Sequence, residues 1–388
     1  MKTYKVEIKL TEEQIKIVEN TSNVCRFLYN EMIATNQLIY DMSRLIGSEK
    51  YFMNSKKFDK YVNNTLSNYS NMTWIKTVNS KSRKQTMVYC ERAFKRFFKK
   101  QSGFPKFKKK KEFCSVYLPK NNKKDFEIKR HKAKIPILSW IRLKEKGYIP
   151  KNTEITSCTI TKTANRYYAS FLTKDTIKVI DCNKAEGIGI DLGIKELAVC
   201  SNGKFYKNIN KSNKVKKLEK KLKRKQKSLS RKFESLKLKK KKEDATRKNI
   251  DKNILSIQKI YNRLSNIRTE YTKNVVNEVV RTKPKYITIE DLNISVMRKN
   301  KHLSKSISEQ KWYFFKLFLI QQCIKYGIEV RLANRKFPSS KTCSCCGKIK
   351  QDLKLSERTY KCECGLIIDR DLNASINLKN CKKYKILT

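Results

Sequence analysis

The sequence predicts a multidomain α+β protein, and three observations predict it. Short alternating or β-branched runs at 4–10, 155–163, 166–173, 187–190, 285–290 and 328–332 read as strands. The stretches 11–100 and 213–280 carry apolar residues at helical spacing. Five cysteines crowd into residues 343–364 and mark a small metal-bound module. A length of 388 residues suits roughly two to three compact units, and 39% hydrophobic residues suffice for real cores.

The elements follow in chain order. After the first strand, Thr11 and Gln14 form a capping box that starts a helix. Val18, Cys25, Leu28 and Met32 line one face of it. The helical region runs to about Lys100. Its aromatic residues (Tyr51, Phe52, Tyr61, Trp74, Tyr89, Phe94, Phe97, Phe98) read as core, since apolar partners lie three or four residues away. Stacking on bases is the alternative for any that stand exposed. Gly103 and Pro105 end the region. From Phe113 to Thr173 the pattern is strand-like, with a hairpin turning at Ala164-Asn165. Gly187–Gly203 reads as strand, turn, strand. Residues 213–280 read as a helical hairpin. Val215, Leu218, Leu222, Leu229 and Leu236 line one arm. Ile250, Ile254, Ile257, Tyr261, Leu264, Tyr271 and Val275 line the other, with Arg268 interrupting. Residues 307–326 read as one amphipathic helix.

Charge narrows the partner. The chain holds 91 Lys+Arg against 35 Asp+Glu, a formal net charge of +56. Self-repulsion on that scale calls for a polyanion, and nucleic acid gains from counterion release when its phosphates are neutralised. Between Lys95 and Lys111 stand nine basic residues and no acid, interleaved with Phe97, Phe98, Phe104 and Phe107. Such a run suits a phosphate-tracking surface, and Lys99, Lys100, Lys106, Lys108, Lys109 and Lys110 are its expected contacts. Residues 211–249 hold 19 Lys/Arg and 4 acids, whereas a solvated coiled-coil face would mix signs. Lys221, Arg224 and Lys225 are the expected contacts there. No membrane partner is expected: the most apolar stretch, Trp312 to Ile320, is broken by Lys316. The N-terminus lacks an apolar signal core, so a cytoplasmic protein associated with the nucleoid is expected. Cysteines in such a compartment are thiols or metal ligands.

Three acidic residues suggest the chemistry. Asp191 closes the run Gly187-Ile188-Gly189-Ile190, and Glu290 closes Tyr286-Ile287-Thr288-Ile289. Asp371 stands at a loop-to-helix junction. Carboxylates delivered by strand ends and a helix start can converge on divalent cations, which points to a metal-dependent nuclease. Gly193 leaves room beside Asp191 for a close backbone approach. Asp291 competes with Glu290, and Asp369 with Asp371; the pattern alone does not choose. Cys343-x-x-Cys346-Gly347 and Cys362-x-Cys364-Gly365 resemble two zinc knuckles, with Cys345 an alternative ligand. Four protein ligands would make that zinc structural. Two distant histidines, His131 and His302, argue against a His-based nuclease or a Ser-His-Asp hydrolase. The absence of a Walker loop removes support for ATP-driven action.

These residues together resemble the TnpB/OrfB family of transposon-encoded RNA-guided nucleases, related to type V CRISPR effectors. The likeness runs nearly end to end. It is carried by Lys5–Thr11 with Cys25–Asn30, by Ala93–Phe98 with Gly103–Lys108, by Thr159–Thr163 with Arg166–Tyr168, and most specifically by Gly187–Gly193, Ile289–Leu292 and Ser340–Asn377. The resemblance implies that Asp191, Glu290 and Asp371 are the RuvC carboxylates, holding two catalytic Mg²⁺, and that Asp291 and Asp369 are not ligands. It implies an RNase H-like RuvC nuclease domain at 181–337 and 366–388, containing the basic hairpin 213–280. A zinc ribbon with one structural Zn²⁺ would occupy 338–365. A β-barrel-like wedge domain would take 1–10 and 104–180, interrupted by a helical recognition region at 11–103.

The implied activity is RNA-guided cutting of double-stranded DNA next to a transposon-adjacent motif, with a guide RNA encoded by the transposon and one protein per RNA. The CxC knuckle departs from the commoner CxxC form, which leaves the zinc ligation open. A nuclease-inactive RNA-guided repressor and a guide-free DNA-binding accessory of transposition are the rival readings. The complete acidic trio speaks against the first, and a defined copurifying RNA would speak against the second.

Overall fold

The computed structural model describes residues 2–47, 51–110, 112–122, 124–174, 185–240, 247–354 and 357–388. The chain falls into two compact units, 1–176 and 177–388. The boundary expected between 180 and 181 lies outside the described residues.

The first unit is an antiparallel sheet with a helical insertion. Strand β1 (Lys2–Lys9) is followed by helices α1 (Glu12–Ile46), α2 (Ser55–Asn64) and α3 (Ser80–Phe98). Then come β2 (Val116–Pro119), β3 (Glu127–Ile128), β4 (Lys132–Ile135), β5 (Ser139–Leu143), β6 (Ile155–Thr163) and β7 (Arg166–Thr173). The sheet order is β2-β6-β7-β1-β5-β4-β3, so β1 pairs with late strands and the helices loop out between β1 and β2. Among the described pairings none joins β2 to β3, leaving both as sheet edges.

The Thr11–Gln14 capping box forms in both directions and contributes about 1 kcal/mol. Gln14 also donates to the carbonyls of Leu138 and Trp140, which seats the helix start on the β4–β5 turn. Val18, Cys25, Leu28 and Met32 are all buried, as their spacing requires. The aromatic set divides: Phe94 is core, while Tyr51, Trp74 and Phe98 stand exposed. Phe98 extends a ring cluster with Phe52, Phe94 and Phe97 past the core edge, which spacing alone cannot register.

The second unit is a mixed sheet. Its elements are β8 (Ile188–Asp191), β9 (Glu196–Cys200), β10 (Phe205–Lys207), α4 (Asn213–Lys240), α5 (Lys248–Arg281), β11 (Tyr286–Glu290), α6 (Ile294–Met297), α7 (Ser304–Gln310), α8 (Trp312–Lys325) and β12 (Glu329–Ala333). The chain ends with β13 (Thr359–Lys361), β14 (Ile367–Asp369), α9 (Arg370–Lys379) and β15 (Tyr384–Ile386). The order β10-β9-β8-β11-β12-β15 has three antiparallel strands leading into the parallel set β8, β11 and β12. The β-branched runs Ile188–Ile190 and Ile287–Ile289 are buried because helices cover this sheet.

Two expectations need correction. The seam of the α4–α5 hairpin uses Ile257, Ile260 and Leu264, while Tyr261 is half exposed and bonds Gln226 through its hydroxyl. An ideal helix drifts off a strict heptad, which moves the seam by one residue. The helix expected at 307–326 is two helices, broken where Lys311 takes φ 55°. Its ammonium is drawn onto α5, donating to the Ser265 carbonyl and hydroxyl and to the Thr269 hydroxyl. A remote contact of that kind is invisible to local periodicity.

Candidate functional site

Asp191 and Glu290 close neighbouring parallel strands. Ile188, Gly189 and Ile190 pair with Ile287, Thr288 and Ile289, so the next residues along each strand are the two acids. Residues in register on adjacent strands face the same way, and alternate residues share a face. Gly189 and Asp191 therefore point to one side. What lies there is α9: a Cβ built on Gly189 would sit 1.9 Å from the Ser375 carbonyl oxygen and 2.4 Å from the Lys379 amide. Only glycine lets the helix backbone come this close. Asp371 lies one turn before Ser375, at the end of α9 that reaches Asp191. The residue that permits the close approach is thus Gly189 rather than Gly193, where the nearest backbone oxygen stands at 3.2 Å. Gly189→Ala is expected to lift α9 off the sheet at a cost of about 3 kcal/mol, read as a lower Tm. An unchanged Tm would contradict this packing.

Electrostatics register the convergence. Burial first, then the Asp371 and Glu290 charges, push the Asp191 carboxyl up to about 8. Arg370 opposes that shift. Burial followed by the Asp291 charge also raises Glu290. Three carboxylates brought together with one guanidinium among them form a site short of positive charge, which a divalent cation could supply. The trio is open: among the described residues, only the cysteine set brings three or more ligand atoms all within 4.8 Å of one another. Oxygens that surround two cations about 3.5–4 Å apart need a wider spread than those around one.

The rival acids are committed elsewhere. Asp291 pairs with Arg335 and Lys316. Asp369 caps α9, accepting from the amides of Asp371 at 2.9 Å and Leu372 at 3.1 Å.

The sulfurs of Cys343, Cys346, Cys362 and Cys364 form a set that can hold a metal ion. Cys343–Cys364 and Cys346–Cys362 stand 3.6 Å apart. A zinc tetrathiolate with Zn–S of about 2.3 Å has edges of about 3.8 Å, so the set fits zinc. The CxC pair supplies both its thiols, and Cys345 is left outside. Gly347 and Gly365 take φ 77° and 89°, turning each knuckle tightly. Burial works against the Cys343 thiolate, yet the amides of Cys346 and Cys345 and the neighbouring thiols outweigh it and bring the thiol down to about 7. The other three thiols, sharing hydrogen bonds with it and with one another, are raised, so Cys343 is the thiol most ready to lose its proton to a metal.

Of the expected phosphate contacts, Lys99, Lys100, Lys106, Lys109, Lys110, Lys221 and Arg224 are exposed. Lys108 and Lys225 are half-buried. Lys108 is engaged: its backbone bonds Asn30 in both directions and its ammonium lies 4.6 Å from the Tyr29 ring centre. Beside Arg224, the residues Lys227, Arg231 and Lys232 line an open groove on α4. These three were missed; their spacing of three, seven and eight from Arg224 places them on one helix face. No described helix is long and apolar enough to cross a membrane.

Comparison with known proteins gives three family matches. A model described as "Probable transposase" (OrfB_IS605) matches residues 179–301, and a "Cas12f1-like, TNB domain" model matches 312–378. A "Helix-turn-helix domain" model of the same OrfB group matches 1–44, although that stretch here is one strand and one long helix. A "Putative RNA-guided DNA endonuclease" of Streptomyces pristinaespiralis is 26% identical, with 97% of this chain and 88% of the relative aligned. InsQ of Escherichia coli (strain K12), named in the same words, is 26% identical over 97% of this chain and 90% of its own. "TnpB-like protein L79" of Acanthamoeba polyphaga mimivirus is 38% identical over 31% of this chain and 24% of its own. A solved Cas12f1-sgRNA-target DNA complex aligns across 99% of this chain and 100% of its own at 16% identity, with a TM-score of only 0.38.

Proposed function

We propose, from the premise that this is a TnpB/OrfB-type chain, that it is an RNA-guided, metal-dependent DNA endonuclease. It cuts double-stranded DNA next to a transposon-adjacent motif, directed by an RNA from its own transposon. One observation supports the reading: Asp191 and Glu290 close the two central strands of one sheet, and α9, which carries Asp371 from a remote segment, packs against the first of them. The strand order around them, three antiparallel strands leading into a parallel set, supports an RNase H-like RuvC domain.

Asp191, Glu290 and Asp371 would hold the catalytic Mg²⁺. Bound there, divalent cation would supply charge stabilisation for a phosphodiester displacement. The chain's own part is to gather the acids and keep competing cations away. Asp291 pairs with Arg335 and Lys316, and Asp369 is tied up as a cap. The exposed lysines at 99–110 and the basic face of α4 hold nucleic-acid backbones, while base pairing with the guide selects the sequence.

The test is to express the chain with its flanking locus, sequence the RNA that copurifies, and challenge the complex with plasmids carrying a matching target beside randomised flanks. A single RNA species and cleavage dependent on match, flank and Mg²⁺ are expected. RNA-free protein that cuts irrespective of sequence would overturn the reading.

A further inference from the structure

We infer that Asn373 is a positioning residue: it couples metal loading of the four-cysteine site to the placement of Asp371. The inference rests on the proposed role of Asp371.

Asn373 is fully buried on α9, two residues beyond Asp371. Its side-chain oxygen accepts from the Ser344 amide at 3.0 Å, and its nitrogen donates to the Thr342 carbonyl at 2.7 Å. Those two groups flank Cys343, so one amide side chain grips the backbone on both sides of a metal ligand. Asn377, one turn on, repeats the grip by donating to the carbonyls of Ser339 at 2.8 Å and Thr342 at 2.6 Å. The start of α9 is tied to the second knuckle by a different route. Strand β14 pairs with β13, the Cys362 amide donates to the Leu366 carbonyl, and Asp369 leads directly from β14 into the helix.

The first turns of α9 are therefore held from two sides, through Asn373 to the Cys343 knuckle and through the chain to the Cys362 knuckle. A metal bound to all four sulfurs joins the two knuckles into one body and closes this loop of contacts. With the loop open, α9 keeps its packing on β8 but loses the brace between the two knuckles, so its first turn, which carries Asp371, is held less firmly. Groups one shell removed from a metal ligand typically change metal affinity about 10–100-fold when lost. Coupling between the two metal sites must act in both directions.

The test measures Mn²⁺ affinity at the carboxylate site, by electron paramagnetic resonance of free Mn²⁺, with Asp191→Ala as the baseline. In the unsubstituted protein, ejecting zinc with an organomercurial is expected to weaken this binding about tenfold or more. In Asn373→Ala, zinc content by mass spectrometry stays near one per chain while Mn²⁺ binding is already weakened by a similar factor, and ejection adds little. Asn377→Ala, should Asn373→Ala fail to keep zinc, is expected to shift Mn²⁺ binding the same way. Mn²⁺ affinity that ignores both zinc ejection and Asn373→Ala would overturn the inference while leaving the carboxylate site standing. Binding by the unsubstituted protein no better than by Asp191→Ala would reject the carboxylate site, and the inference with it.

Discussion

Asp191→Asn is expected to abolish DNA cleavage, by about 10³-fold or more, while leaving RNA binding intact. The variant loses one carboxylate from the proposed metal site, where bound ions would stabilise several kcal/mol of transition-state charge, and each 1.36 kcal/mol is tenfold in rate. The same substitution is expected to make the metal-free protein more stable. Burial and the neighbouring acids raise the Asp191 carboxyl to about 8 in the folded state. In the unfolded chain it returns to an ordinary carboxylate range near 4. Between those values the unfolded chain binds fewer protons than the folded one, so folding weakens as pH rises from about 4 to about 8.

Asparagine carries no such proton. In EDTA the Tm advantage of Asp191→Asn over the unsubstituted protein should grow across that window, toward a ceiling of about 5 kcal/mol. Divalent cation is expected to reverse the ranking by favouring the ionised trio. Mg²⁺ affinity should also strengthen as pH approaches 8, because binding must displace the Asp191 proton. A variant that cuts normally, or an advantage that does not widen with pH, would contradict the site.

The second large effect is expected at the cysteines. Residues 338–365 have little core of their own: Tyr360 is the one large side chain there that is fully buried among the described residues. A short β13–β14 ladder supplies little more. Metal binding in small modules of this kind contributes about 10–16 kcal/mol and is inseparable from folding. Cys362→Ser should therefore lose zinc from the chain and open the ribbon to limited proteolysis, while unit 1–176 stays protected. Retention of full zinc content with unchanged proteolysis would show that the four sulfurs are not the ligand set.

How much was legible before the fold depended on how local each signal was. The Thr11–Gln14 box, the Ala164-Asn165 turn and the strands ending at Asp191 and Glu290 are written in a few adjacent residues. The four cysteines are legible because thiols at that spacing have few other uses. The contest between Glu290 and Asp291 was not legible from pattern. Arg335 and Lys316, which pair with Asp291, are remote in sequence and leave no mark in its own run. Gly189 was passed over for Gly193 because the helix it admits lies nearly 190 residues downstream. Lys108 reads as a phosphate contact because nothing in its own run reveals Asn30 and Tyr29 beside it. In each case the missing information was a tertiary partner.

The central claim is that three carboxylates share divalent cations, and anomalous diffraction from crystals soaked in Mn²⁺ tests it most directly. The account predicts two peaks about 3.5–4 Å apart between Asp191, Glu290 and Asp371. Strong peaks elsewhere with none at this trio would contradict it.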